Sequence, residues 1–194
     1  MAVNRFVLNG ISYHGHGAIQ EIPGIIASHG FKKAFIASDP DLVKFGVTAH
    51  VTDLLDKAGV PYALYTDIKP NPTIEKLREG IKIARDNNVD LLLAVGGGSC
   101  CDYAKAVSVS INCPEDPWQK YFIRFEEPTC KIVPVGCVLT MVGTGSEMNG
   151  GSVISNHKEN LKIGHVFGED VMPKFSILNP KYTFTLPKKQ MIAG

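Results

Sequence analysis

The chain has 194 residues, 44% of them hydrophobic, and its 20 Lys and Arg against 19 Asp and Glu leave a net charge of +1. That composition supplies material for one globular domain and no charge block suited to nucleic acid or a membrane surface. No apolar run approaches the roughly 20 residues of a bilayer span, and the opening MAVNRFVLNG lacks a signal-peptide core.

Cys100, Cys101, Cys113, Cys130 and Cys137 form an odd set with no CxxC spacing. This predicts reduced thiols in a cytoplasmic protein, with neither a zinc ribbon nor a disulfide framework.

In chain order, Arg5 to Leu8 and Ile11 to His14 read as a hairpin around Asn9-Gly10. A helix is predicted from Ala18 to His29, ended by Gly30, with Pro23 in its first turns. His14 and His16 flank Gly15 in a loop-like stretch and read as structural. Lys33 to Ser38 is a buried strand closed by Asp39-Pro40-Asp41. Asp39 has two competing uses: accepting hydrogen bonds from adenosine ribose hydroxyls, which disfavours a 2′-phosphate, or capping a helix from Leu42 to Ala58. Tyr62 to Tyr65 is a third strand. The turn DIKPNPT at 67 to 73 leads to Thr73, a cap for a helix over 74 to 87. Asn71, held between two prolines, serves a ligand or braces the loop.

The chain is organised around LLLAVGGGSCCDYAK, residues 91 to 105. Leu91 to Val95 suit a strand buried on both faces. Gly96, Gly97 and Gly98 permit a sharp turn and close ligand approach, and Ser99 is placed to cap the next helix. A strand entering a glycine turn at a helix N-terminus suits a phosphate or pyrophosphate. The pattern matches neither GxGxxG nor GxxxxGK[ST], so a tight connection without ligand is the competing reading. Asp102 completes a capping box or faces the ligand. For Lys105, spacing alone favours a solvated surface lysine. Cys100 and Cys101 occupy a place where a thiol pKa is readily lowered, but read as small packing residues.

A helix follows from Asp102 to Ile111. Residues 114 to 128, with Trp118, read as a surface loop, and Lys131 to Thr140 as another apolar strand. Residues 140 to 149 form a second loop of small hydroxyl and glycine residues at a strand end. In a parallel sheet the two loops converge where open α/β sheets bind ligands. A hairpin over 150 to 155 and 161 to 165 carries Lys162, Phe175 to Leu178 is the last strand, and a helix begins near Pro187.

GGGSxxDxAK at 96 to 105, DIKPNPT at 67 to 73, GTGSEMN at 143 to 149 and LPKKQMIAG at 186 to 194 occur in one order over essentially the whole chain. Together they resemble the iron-containing (group III) alcohol dehydrogenases. The N-terminal half is similar to the lactaldehyde and 1,3-propanediol dehydrogenase branch, and GSEMNGGSVIS to the butanol dehydrogenase branch. The resemblance implies an N-terminal domain of the dehydroquinate synthase type. It places pyrophosphate at Gly97, Gly98 and Ser99, the ribose and adenine near Asp39 and Asn71, and further cofactor contacts at Asp102, Thr140, Thr144, Val153 and Lys162. Asp39 matches the family position associated with NAD. The family's helical domain supplies an aspartate and three histidines to iron or zinc, and those ligands are expected to lie beyond the motif at Ala193-Gly194.

The expectation is therefore an α/β, Rossmann-like open parallel sheet with helices on both faces plus β-hairpins, one dinucleotide-binding domain over 1 to 194. NAD is expected in preference to NADP, with iron or zinc only in a complete enzyme, and with a homo-oligomer or a complementing C-terminal domain as partner. No catalytic or metal residue is assigned, and the chain alone is expected to be inactive as a truncated form. The alternatives are a non-catalytic dinucleotide-binding or assembly module, and catalysis through Cys100 as a nucleophile.

Overall fold

A computed structural model describes residues 10–184 and 186–193. Its strands are β1 (Ile11–His14), β2 (Ala34–Ser38), β3 (Tyr62–Tyr65), β4 (Leu91–Gly96), β5 (Val135–Leu139), β6 (Gly151–Asn156), β7 (Leu161–Val166) and β8 (Phe175–Leu178). Six of them form one sheet in the order β1-β8-β5-β4-β2-β3, every neighbouring pair parallel. The helices are α1 (Ile22–His29), α2 (Pro40–Lys44), α3 (Val47–Lys57), α4 (Ile74–Asp86), α5 (Gly98–Ser110) and α6 (Lys188–Ala193).

Alternation along each strand divides the core between the two faces. Phe35, Ala37, Leu92, Ala94 and Cys137 join Ile74, Leu77, Ala104 and Val107 from α4 and α5. Ala34, Ile36, Leu91, Leu93, Val95 and Val138 meet Ile22, Ile26, Val51 and Leu55 from α1 and α3. Burial on both faces explains why these strands read as continuous apolar runs. The expected α/β sheet with helices on both faces is what forms.

Gly136 of β5 lies opposite Phe175 of β8, and a Cβ there would overlap the Phe175 ring. Gly136→Ala is therefore expected to lose about 1–3 kcal/mol by overpacking. Chemical denaturation would show this as a lower midpoint at unchanged slope.

Several local expectations are corrected. The predicted helix over 42 to 58 is two helices, because Gly46 adopts a left-handed φ of 77° and starts α3 afresh. Pro23 marks the true start of α1, after a 3-10 turn at Ala18–Glu21. The segment 114 to 128 is no surface loop. It carries a π-helical stretch, Trp118–Ile123, in which Trp118, Tyr121 and Phe122 are buried. Tyr121 donates its hydroxyl to the Val109 carbonyl at 3.0 Å, and the Trp118 indole donates to Glu159 at 2.8 Å. Each aromatic thus buries its ring and keeps its polar handle satisfied.

The 150–165 hairpin forms as the antiparallel pair β6–β7, packed against α5 rather than joined to the main sheet. β1 forms and pairs parallel with β8. Its expected hairpin partner, Arg5 to Leu8, lies outside the described residues.

Candidate functional site

After β2 the chain adds β3 at the sheet edge, then returns to place β4 on the other side of β2. This reversal puts the crevice between the carboxyl ends of β2 and β4, the usual ligand position in open α/β sheets. Asp39 follows β2, and the glycine turn follows β4.

Gly96 has φ 156°, and a Cβ there would overlap the Cys100 sulfur, so the turn requires glycine. Gly97, extended at φ −87° and ψ −164°, is the N-cap of α5 without any side-chain cap. Ser99 is therefore one residue inside the helix and does not cap it. The N–H groups of Cys100 and Cys101 donate to the Gly97 carbonyl at 3.1 and 3.2 Å. Gly98 and Ser99 precede those first helical bonds, so their N–H groups point out of the helix end. They open a helix of thirteen residues, and the positive end of its dipole faces the crevice.

Asp39 caps α2 through Oδ1, which accepts from the Leu42 N–H at 2.9 Å. Its other oxygen lies 4.0 Å from the Cys100 sulfur. Burial raises the Asp39 pKa above its ordinary value, against the opposing pull of the Leu42 and Asp41 backbone bonds. The cap uses one oxygen, so capping and ribose binding are compatible rather than exclusive.

The second loop meets the first. The Thr140 N–H donates to the Gly96 carbonyl at 3.1 Å. A Cβ on Gly98 would stand 2.9 Å from the Thr144 hydroxyl oxygen, and one on Gly97 3.4 Å from Met141. The two loops at strand ends do converge.

Beneath them runs a polar network absent from the sequence-based expectation. Lys105 is fully buried, contrary to its reading as a solvated lysine. Its ammonium donates to the Ser146 hydroxyl at 2.7 Å and carbonyl at 2.9 Å, and to the Asn149 carbonyl and side-chain oxygen at 3.2 Å. Ser146 donates in turn to Asp102 at 2.5 Å, and the other Asp102 oxygen accepts from the Val153 N–H at 3.1 Å. Asp102 therefore forms no capping box. Burial pushes the Lys105 pKa down, and the Asp102 charge 3.6 Å away resists that shift. The network joins α5, the 140–149 loop and β6. GTGSEMN contains Ser146 and Asn149, yet only the folded chain shows a buried cation choosing them as acceptors.

Asn71, at φ 59°, accepts from the Lys162 ammonium at 2.6 Å, which braces the proline loop against the hairpin. The Ser155 N–H adds a bond to the Pro72 carbonyl at 2.9 Å. A cleft of about 240 Å³ opens beside this brace, lined by residues 67 to 73, Lys76, Tyr103 and His157. A larger groove of about 610 Å³ lies at the opposite, amino end of the strands, beside Asp90 and Pro134.

Of the ten expected contact positions, Gly97, Gly98, Ser99, Asp102, Thr140, Thr144 and Val153 cluster around the start of α5. Asn71 and Lys162 form a separate bonded pair, and Asp39 stands on the β2 side of the crevice. Cys100 is buried and its thiol pKa is driven well up by that burial, which opposes a nucleophilic role. Among the described residues, no group of three or more His, Cys, Asp or Glu side chains could hold a metal ion. Nor is any described helix long and apolar enough to cross a membrane.

The sequence pattern described as iron-containing alcohol dehydrogenase matches residues 10–180. NADH-dependent butanol dehydrogenase A of Clostridium acetobutylicum is 36% identical over 182 residues, 94% of this chain and 46% of that protein. The NADPH-dependent aldehyde reductase YqhD of Escherichia coli K12 is 40% identical over 153 residues, 78% of this chain and 38% of that protein. The crystal structure of sulfoacetaldehyde reductase from Bifidobacterium kashiwanohense in complex with NAD+ superposes with a TM-score of 0.89 at 25% identity, covering 98% of this chain and 50% of that one. The chain spans about half the length, or less, of the relatives it matches.

Proposed function

The chain belongs to the iron-containing alcohol dehydrogenases, and from that premise we propose that its 194 residues form the NAD(H)-binding domain of an alcohol dehydrogenase. The observation that carries this reading is the glycine turn at the sheet's reversal point, where α5 aims N–H groups between Asp39 and the 140–149 loop. The site suits a dinucleotide: glycines allow the close approach, and the uncapped helix end favours an anion.

The pyrophosphate sits on the Gly97, Gly98 and Ser99 backbone. The second oxygen of Asp39, not used by the cap, accepts from the adenosine ribose, and the carboxylate charge disfavours a 2′-phosphate. Thr140, Thr144, Asp102 and Val153 line the run toward the nicotinamide, with Lys162 on the hairpin side, and Asn71, bonded to Lys162, stands with the ribose and adenine. When bound, the nicotinamide exchanges hydride with the carbon of a short-chain alcohol or diol. The protein's contribution is to hold that ring in one orientation. The described side chains do not fit an iron or zinc site. The ligands are assigned to a helical part outside these residues, and the chain by itself is proposed to bind cofactor without oxidising alcohol. Its five free cysteines support a reducing compartment, the cytoplasm.

Calorimetric titration with NAD and NADP, repeated with ferrous or zinc ion, tests the reading. Saturable NAD binding that ignores metal, without alcohol turnover, is expected. No binding of either dinucleotide would overturn the cofactor assignment, and metal-dependent turnover would overturn the inactivity. YqhD is NADPH-dependent, so the preference for NAD rests on Asp39. Asp39→Ala is expected to cut the NAD-over-NADP preference about tenfold by removing a charged acceptor. Loss of the helix cap is expected to cost about 1 kcal/mol in the same variant.

A further inference from the structure

Two thiols lie under the glycine turn and have no part in the cofactor contacts. Cys101, in the first turn of α5, and Cys137, on β5, are both fully buried, with their sulfurs 3.5 Å apart. Lys105, one turn further along α5 than Cys101, is fully buried as well. A disulfide needs its sulfurs roughly 2 Å apart. Closing the gap brings the two sulfurs about 1.5 Å nearer across the junction of α5 and β5. Gly98 and Ser99 share the first turn of α5 with Cys101, and Thr144 already lies against Gly98.

We propose that Cys101 and Cys137 form an oxidisable dithiol that a hydroperoxide closes to a disulfide in the cofactor-free protein, and that this cross-link withdraws the anion-binding helix end. One sulfur attacks the distal peroxide oxygen, giving a sulfenic acid and releasing water or an alcohol. The second thiol then attacks that sulfur and expels water. Two thiols and hydrogen peroxide thus become one disulfide and two waters. Burial keeps peroxide away from both sulfurs in the closed structure, so the reaction proceeds when the start of α5 opens locally. A dinucleotide bonded to that helix end holds it shut and protects the pair, and by linkage the disulfide weakens dinucleotide binding. The protection rests on the cofactor site proposed above. The dithiol itself does not.

The experiment exposes the free protein and the NAD-saturated protein to hydrogen peroxide, traps the remaining thiols by alkylation in denaturant, and maps non-reduced peptides by mass. A peptide pair joining Cys101 to Cys137 is expected in the free protein, forming about tenfold more slowly with NAD. The cross-linked protein is expected to bind NAD about tenfold more weakly, with recovery on reduction by dithiothreitol. Cys137→Ser should form no such pair, and its NAD affinity should be indifferent to peroxide. Oxidation of the half-buried Cys130 while Cys101 and Cys137 remain alkylatable would overturn the proposal. So would a cross-link that leaves NAD affinity unchanged, or a Cys137→Ser protein still weakened by peroxide. Failure of the untreated protein to bind NAD would instead overturn the cofactor reading, and the dithiol would then be decided by the cross-link alone.

Discussion

Replacing Lys105 with methionine is expected to destabilise the folded chain by about 3 kcal/mol, roughly two orders of magnitude in the ratio of folded to unfolded protein. Methionine approximates the volume of the aliphatic stem but removes the ammonium. The Ser146 and Asn149 oxygens then lose their donor, and Asp102 loses its counter-charge in a site that water scarcely enters. Denaturant unfolding of both proteins measures the loss.

A second signature is pH dependence. Folding lowers the Lys105 pKa, so between that value and the ordinary 10.5 the unfolded chain binds more protons than the native one. Stability from this group therefore rises as pH climbs through that interval. The methionine variant should lack that rise. Equal stability of the two proteins at neutral pH would show that the network contributes nothing.

Gly98→Val is expected to weaken NAD binding about a hundredfold, near 2.7 kcal/mol. Gly98 is helical with negative φ, so the backbone tolerates a side chain, but the branched carbon enters the space of Thr144. The two loops are forced apart where the pyrophosphate is assigned. Gly17→Val, at a glycine with open space around it, is the matching control and should bind NAD normally. Calorimetry on the pair separates a local steric effect from a general one. Undiminished affinity in Gly98→Val would remove the glycine turn from the cofactor site.

The sheet was legible wherever burial on both faces writes itself as an unbroken apolar run, as in Ala34–Ser38, Leu91–Gly96 and Val135–Leu139. The convergence of the two glycine-bearing loops was legible for the same reason, since it follows once the strands are parallel. Lys105 was not. Three-residue spacing places it below Asp102 but carries no information on what covers that face, and the cover comes from a loop and a hairpin far along the chain. Trp118, Tyr121 and Phe122 sit among prolines and charges that resemble a surface loop. Their burial depends on partners distant in sequence: the Val109 carbonyl for Tyr121, Glu159 for Trp118, and the Phe167 ring against Tyr121 and Phe122. Gly46 was overlooked as a break because a single glycine in an otherwise periodic stretch costs only about 1 kcal/mol, too little to force a boundary without the tertiary context that favours it.

The pairing of β1 with β8 bears on how the protein assembles. Ile11 finds its place opposite Phe175, so the first described strand of the sheet closes against the last. During synthesis β2, β3 and β4 have neighbours early, whereas β1 waits until nearly all of these residues have emerged. Such remote parallel contacts slow folding, because loop entropy is lost before the contact stabilises. Until β8 arrives, β5 exposes an unpaired edge and β1 has no strand beside it, which makes the interval before Phe175 emerges the period of greatest aggregation risk. A chain ending ahead of Phe175 would remain in that state.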